Sequence, residues 1–257
     1  MATVKFIESA DGTPIAYRVT GAGEPMVMVH GSGTWSADWL FVLPLLRDHF
    51  TVVTMDRRGR PCSGDARDYA IEREAEDVLA VLDAVDADLL VGHSYGAMCS
   101  ILAAKQTERL RRLVVYEPPI GVTQRGFGAL QELIAAGEHE AAIEGFLRSI
   151  GTSDEQFKAI RSSPAWPDLV RTAPALSREL RACVDWQHPP GPIHVPTLFL
   201  MGEKTQSPVY LDGLDDLQAA FPGAQRDLIP GQMHVAHVFA ARVFAELVTA
   251  FFNEPSH

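Results

Sequence analysis

The residues best placed to do chemistry in this chain are a serine and a histidine, each at the end of a strand-like run. Ser94 stands in Leu89-Leu90-Val91-Gly92-His93-Ser94-Tyr95-Gly96, an apolar run that enters a G-x-S-x-G turn, with the small residues Ala97, Cys99, Ala103 and Ala104 beyond it. The pattern predicts a buried strand, a sharp turn and a helix packed closely on a sheet, with the serine hydroxyl projecting at the helix N-terminus. Glycines at 92 and 96 keep Cβ atoms out of a turn where neighbouring chain passes close. A serine hydroxyl is a poor nucleophile until a positioned base takes its proton. His234, in Pro230-Gly231-Gln232-Met233-His234 after the last strand-like run, is the candidate base, and His237 is its rival.

The elements that must position these groups alternate along the chain. Val4 to Ile7 and Ile15 to Val19 predict an opening hairpin across the turn Asp11-Gly12-Thr13-Pro14. The run Met26-Val27-Met28-Val29 suits a parallel strand covered on both faces, and it empties into His30-Gly31-Ser32-Gly33. After a segment with helical character from Trp39 to Arg47, a fourth strand, Thr51 to Met55, ends in Asp56-Arg57-Arg58, which reads as a loop brace. Val78, Leu79, Leu82 and Val85 recur at helical spacing, with Glu72, Glu74, Glu76 and Asp77 near the helix start, where its dipole favours acids. Leu113 to Glu117 predicts the sixth strand. From there to about His188 strand signals vanish, and helical patches fall at Phe127 to Ile134, Ile143 to Ile150 and Leu176 to Val184. The sheet resumes at Val195 to Met201, followed by a helix over about Val209 to Phe221, a strand at Gln225 to Ile229 and an amphipathic terminal helix from Val238.

Composition narrows the function classes. A net charge of −11 on 257 residues argues against a nucleic-acid or anionic-membrane surface. Cys62, Cys99 and Cys183 are odd in number and far apart, so they make neither a disulfide framework nor a CxxC metal pair. A reducing cytoplasm is the expected home. Met1 to Gly12 lacks the apolar core of a signal peptide, and no uninterrupted apolar run is long enough to span a bilayer.

Four motifs at successive strand ends, HGSG, DRRGRPCSGD, GHSYG and PGQMHVAH, together resemble the α/β-hydrolase superfamily over nearly the whole length. The resemblance implies an α/β fold with a mostly parallel, twisted sheet of about eight strands and helices on both faces. It also implies a core of residues 1–118 and 193–257, with a helical cap, 119–192, inserted between strands six and seven. His234 then matches the catalytic histidine in preference to His237, while His30 and His93 shape loops. Many relatives place the triad acid after strand seven, where this chain has Thr205 in Gly202-Glu203-Lys204-Thr205-Gln206-Ser207-Pro208. A subgroup that includes zearalenone-type lactonases draws a glutamate from the end of strand six, which is Glu117 here. Glu203 is the alternative acid, with Asp212 and Asp215 behind it. Backbone N–H groups of Ser32 and Tyr95 are the implied oxyanion donors, with Gly31 and Gly33 beside them at the substrate, and Trp186 is a candidate for lining an apolar pocket from the cap.

The expectation is a serine hydrolase that needs no cofactor or metal and acts on a small, largely apolar carboxylic ester or lactone. Perhydrolysis and C–C bond cleavage use the same triad. A serine at position 94 argues against the haloalkane dehalogenase and epoxide hydrolase chemistries of similar proteins, which use an aspartate. The competing class is a hydrolase-fold binding protein without turnover, favoured by Thr205 in place of the usual acid. Monomer and homodimer both remain open.

Overall fold

In the computed structural model, which describes residues 3–123 and 127–255, one sheet of eight strands organises the chain. The strands are β1 (Val4–Glu8), β2 (Pro14–Gly21), β3 (Glu24–Val29), β4 (Phe50–Met55), β5 (Leu89–His93), β6 (Arg112–Tyr116), β7 (Thr197–Gly202) and β8 (Gln225–Ile229). Their order across the sheet is β1-β2-β4-β3-β5-β6-β7-β8. Only the β1–β2 and β2–β4 pairs are antiparallel; every pair from β4 to β8 is parallel.

The central strands are apolar on both faces because both are covered, and side-chain alternation divides them between two cores. Val27, Val53, Leu90, Val115 and Phe199 point into one core. Met26, Val52, Val91, Val114 and Leu200 point into the other. Among the described residues twelve α-helices supply the cover: α1 (Leu43–Leu46), α2 (Ile71–Ala84), α3 (Tyr95–Gln106), α4 (Gly128–Ala135), α5 (His139–Ser149), α6 (Asp154–Arg161), α7 (Trp166–Arg171), α8 (Ala173–Val184), α9 (Pro208–Leu211), α10 (Leu214–Ala219), α11 (Ala236–Phe239) and α12 (Ala241–Phe252). Residues of α2, α3 and the inserted helices α4 to α8 join the first core. Phe244, Val248, Phe251 and Phe252 of α12 join the second.

All eight expected strands are present, and the helices depart from expectation in three places. The helix expected over Val209 to Phe221 is two short ones, because Gly213 takes a left-handed conformation at φ 80° between α9 and α10. The terminal helix breaks at Ala240, whose φ of −135° separates α11 from α12. The insertion also carries two helices, α6 and α7, beyond the three expected. A capping box starts α6: the Ser153 hydroxyl accepts from the Gln156 N–H while the Gln156 side chain accepts from the Ser153 N–H.

Close backbone approach fixes the helix after Ser94 against the sheet. A Cβ built on Gly96 would lie 2.4 Å from the Val29 carbonyl oxygen and 2.5 Å from that of His30. Main chain cannot yield as a side chain can, so Gly96→Ala is expected to cost about 3 kcal/mol or more of stability in urea denaturation. Gly128, with nothing among the described residues within 4 Å of its built Cβ, is the control, and Gly128→Ala should match or slightly exceed the parent.

Candidate active site

Ser94 links β5 to α3 with φ 54° and ψ −125°, a backbone region that L-residues occupy only when the surroundings enforce it. The enforcement is visible. The Ser94 N–H donates to the Tyr116 carbonyl at 2.8 Å, the Ser94 carbonyl accepts from Ala97 N–H at 2.9 Å, and Gly92 and Gly96 leave no room for a relaxed turn. The Tyr95 side chain turns into the core and meets the Tyr69 hydroxyl at 2.5 Å. Its backbone N–H, like that of Ser32, meets no hydrogen-bond acceptor among the described residues. Gly31 brings the 30–34 loop against the elbow, since a Cβ there would lie 2.9 Å from Ser94 Cβ.

His234 is carried on the loop between β8 and α11, which is stitched to the neighbouring strand ends. Tyr116 holds the loop from both sides, its hydroxyl donating to the Met233 carbonyl at 2.8 Å and accepting from Ala236 N–H at 2.9 Å. Gly202 allows the loop to pass, because a Cβ there would meet Gln232 O at 2.6 Å. The His234 ring stacks on Tyr210 with centroids 4.2 Å apart and 17° between planes. Its Nδ1–H donates to Glu117 Oε2 at 2.8 Å. The other Glu117 oxygen accepts from Gly202 N–H at 2.6 Å and from the Thr205 hydroxyl at 2.5 Å. Glu117 is fully buried and adopts a φ of 43°. Three donors orient the buried carboxyl group of Glu117, and the bond it accepts from Nδ1–H leaves the Nε2 lone pair of His234 free to take a proton.

The remaining candidates lie elsewhere. Glu203 is exposed and accepts from Gly231 N–H at 2.6 Å; Asp212 is exposed, and Asp215 pairs with Arg226 at 2.6 Å. His237 is fully buried, with Nε2 at 3.0 Å from Asp38 Oδ2. His93 donates from Nε2 to the His234 carbonyl at 3.0 Å, and burial first, then its histidine neighbours, push its pKa down to about 3. His30 accepts from the Arg57 N–H at 3.1 Å.

Ser94 and His234 open into a cavity of ≈260 Å³ walled by Trp35, Phe41, Phe146, Leu169, Val238 and Phe239. A second cavity of ≈220 Å³ shares Ser32, Ser94, Phe146 and Ile150 with the first and extends towards Val122, Leu180 and Tyr210. Gly31 and Gly33 line the first. Trp186 lines neither; it is half-buried against the first core, and the tryptophan at the cavity is Trp35. Trp186 is thus placed with the packing of the first core instead of among the residues that line these cavities.

Sequence reasoning also missed a buried charge network beneath the 30–34 loop. Arg57 donates to the Gly31 carbonyl at 3.0 Å, doubly to Glu74, and to Glu179 of α8 at 2.8 Å. Arg60 donates to the Thr34 carbonyl at 2.7 Å and to the same Glu179 oxygen. Glu179 thus ties the inserted helices to the loop beside Ser94. Burial opposes its charge, but Arg57 and Arg60 outweigh burial and hold its pKa below the ordinary carboxylate value. A lowered folded pKa adds stability above the unfolded value of about 4.3 and loses it as pH falls through the folded pKa. Glu179→Gln is expected to cost about 3–5 kcal/mol at pH 7, since two buried guanidinium groups lose their shared partner. In urea titrations the gap to the parent should close as pH drops below about 4.

A profile of the alpha/beta hydrolase family matches residues 26–247, and the chain belongs to that family. An alpha/beta hydrolase from Sphaerobacter thermophilus is 31% identical and superposes with a TM-score of 0.81 over 97% of this chain and 100% of its own. The enol-lactonase from Burkholderia xenovorans, at 20% identity, shares the fold with a TM-score of 0.79 over 97% of this chain and 100% of its own. Among curated proteins, the cis-3-alkyl-4-alkyloxetan-2-one decarboxylase of Shewanella oneidensis is 32% identical over 115 residues, 42% of this chain and 36% of that protein. The 2-hydroxy-6-oxo-2,4-heptadienoate hydrolase of Pseudomonas putida is 38% identical over 106 residues, 37% of each chain. The chain thus spans little more than a third of the length of these two curated relatives. Among the described residues no helix is long and apolar enough to cross a membrane.

Proposed function

We propose that this protein is a serine hydrolase that cleaves a small, largely apolar carboxylic ester or lactone through an acyl-enzyme. The observation that carries the proposal is the 2.8 Å bond from His234 Nδ1 to Glu117 Oε2, made on the wall of the cavity into which Ser94 opens. In this reading His234 Nε2 takes the Ser94 proton as Oγ attacks the carbonyl carbon, and Glu117 stabilises the imidazolium. The N–H groups of Ser32 and Tyr95 receive the oxyanion, each worth about 2.7–4 kcal/mol of barrier where such donors have been removed. The tetrahedral intermediate collapses, His234 returns the proton to the leaving alkoxide, and water repeats the sequence to free the acid. For a lactone the leaving alkoxide stays tethered, so the product is a hydroxy acid.

The inserted helices, 119–192, act as the cap in this reading, and the two apolar cavities meeting at Ser94 receive the acyl and alcohol sides of the substrate. The oxetan-2-one in one relative's name and the enol-lactonase among the solved structures favour small lactones as first substrates to try.

A fluorophosphonate probe, with the labelled peptide identified by mass spectrometry, tests the assembly. Folded protein should be labelled at Ser94 and heat-denatured protein should not. Failure to label with both a bulky and a small probe would refute an activated serine and leave a binding protein of the same fold.

A further inference from the structure

We propose that Asp38, His93 and His237 form a binding site for a divalent transition-metal cation of the zinc class, beside the Ser94 cavity. The three residues come from separate parts of the chain: a short 3₁₀ helix (Ser36–Trp39), the end of β5 and the start of α11. One ligand atom from each lies within 4.8 Å of the other two. Asp38 Oδ2 is 3.0 Å from His237 Nε2 and 3.7 Å from His93 Nδ1. Ligands about 2.0–2.1 Å from one cation, at right to tetrahedral angles, stand about 2.9–3.4 Å from each other, so small side-chain adjustments suffice.

Unmet bonding capacity is the second observation. His93 is 4% and His237 0% exposed, and Asp38 Oδ2, His93 Nδ1 and both ring nitrogens of His237 are buried without a hydrogen-bond partner among the described residues. The 3.0 Å approach of Asp38 to His237 therefore lacks hydrogen-bond direction, whereas a shared cation would satisfy both atoms. His93 is also arranged as metal-binding histidines are: its Nε2–H is committed to the His234 carbonyl, which turns the Nδ1 lone pair towards Asp38. Two imidazoles with one carboxylate suit zinc, cobalt, nickel or ferrous iron and suit calcium or magnesium poorly. Asp38 and His93 line the main cavity, which gives the cation its route in and leaves its remaining positions open to solvent or ligand.

The test is equilibrium dialysis of untagged, chelator-treated protein against Zn²⁺ at pH 7.5, with Co²⁺ absorption as a second readout. The expected result is one Zn²⁺ per chain, a Co²⁺ visible spectrum of low coordination number, and a melting temperature that rises with Zn²⁺. Asp38→Asn and His237→Asn should each weaken binding at least tenfold while melting, metal-free, as cooperatively as the parent. Should His237→Asn fail to fold, Asp38→Asn and the parent's Co²⁺ spectrum decide. Absence of stoichiometric binding at 100-fold molar excess, or binding that both folded variants retain, would overturn the site.

Discussion

Replacing Ser94 with alanine is expected to lower kcat/KM on any ester or lactone substrate by at least about 10⁴-fold while leaving the melting temperature unchanged. The size follows from how the site divides its work. In the proposed mechanism the substitution ends covalent catalysis and leaves only the two backbone donors and substrate binding, which are good for about 10³–10⁴ over water. Stability is spared because alanine keeps the serine Cβ at the enforced φ of 54° and the hydroxyl holds no structural hydrogen bond among the described residues. Steady-state kinetics on p-nitrophenyl esters and thermal melting measure both halves. Turnover that survives in folded Ser94→Ala would remove Ser94 as nucleophile.

Much of the fold and of the candidate site was legible because the proposed chemistry sits at strand ends and strand ends are marked locally. Runs such as Leu89 to Val91 need both faces covered, and the glycines at 92, 96 and 202 are required where main chain meets main chain. Thr205 was readable as the departure from the usual acid position, and it now has a physical role: its hydroxyl is one of the donors on Glu117. What the sequence concealed depends on long-range burial. Nothing local to Glu179 distinguishes it from a solvated acid on a helix face, yet it is fully buried between two arginines more than a hundred residues away. The meeting of Asp38 with His93 and His237 is equally invisible, as is the choice of Trp35 over Trp186 at the cavity. The capping box that opens α6 was, in contrast, present as Ser153-Asp154-Glu155-Gln156 and could have placed that helix.

Glu117→Gln is the sharper test of the acid, because the substitution preserves shape and changes only what one atom can do. Gly202 N–H and the Thr205 hydroxyl are both donors, so they fix the amide with its carbonyl oxygen towards them. The amide nitrogen must then face His234 Nδ1, where the carboxylate oxygen now lies at 2.8 Å. Two donors cannot share that contact. The imidazole is forced to accept at Nδ1 and to carry its proton on Nε2, the nitrogen that has to receive the Ser94 proton. The expected result is a fall in kcat of about 10⁴-fold with KM nearly unchanged, in a protein that still melts cooperatively. The loss should ease as pH rises and hydroxide begins to substitute for the missing base. Glu203→Gln, at an exposed side chain that among the described residues bonds only to Gly231 N–H, should leave kcat within about twofold. Thr205→Val removes one donor but not the charge and belongs between the two, at about tenfold, because Gly202 still orients the carboxylate. A reversed order, with Glu203→Gln inactive and Glu117→Gln active, would place the working acid after β7 and make the bond between Glu117 and His234 structural.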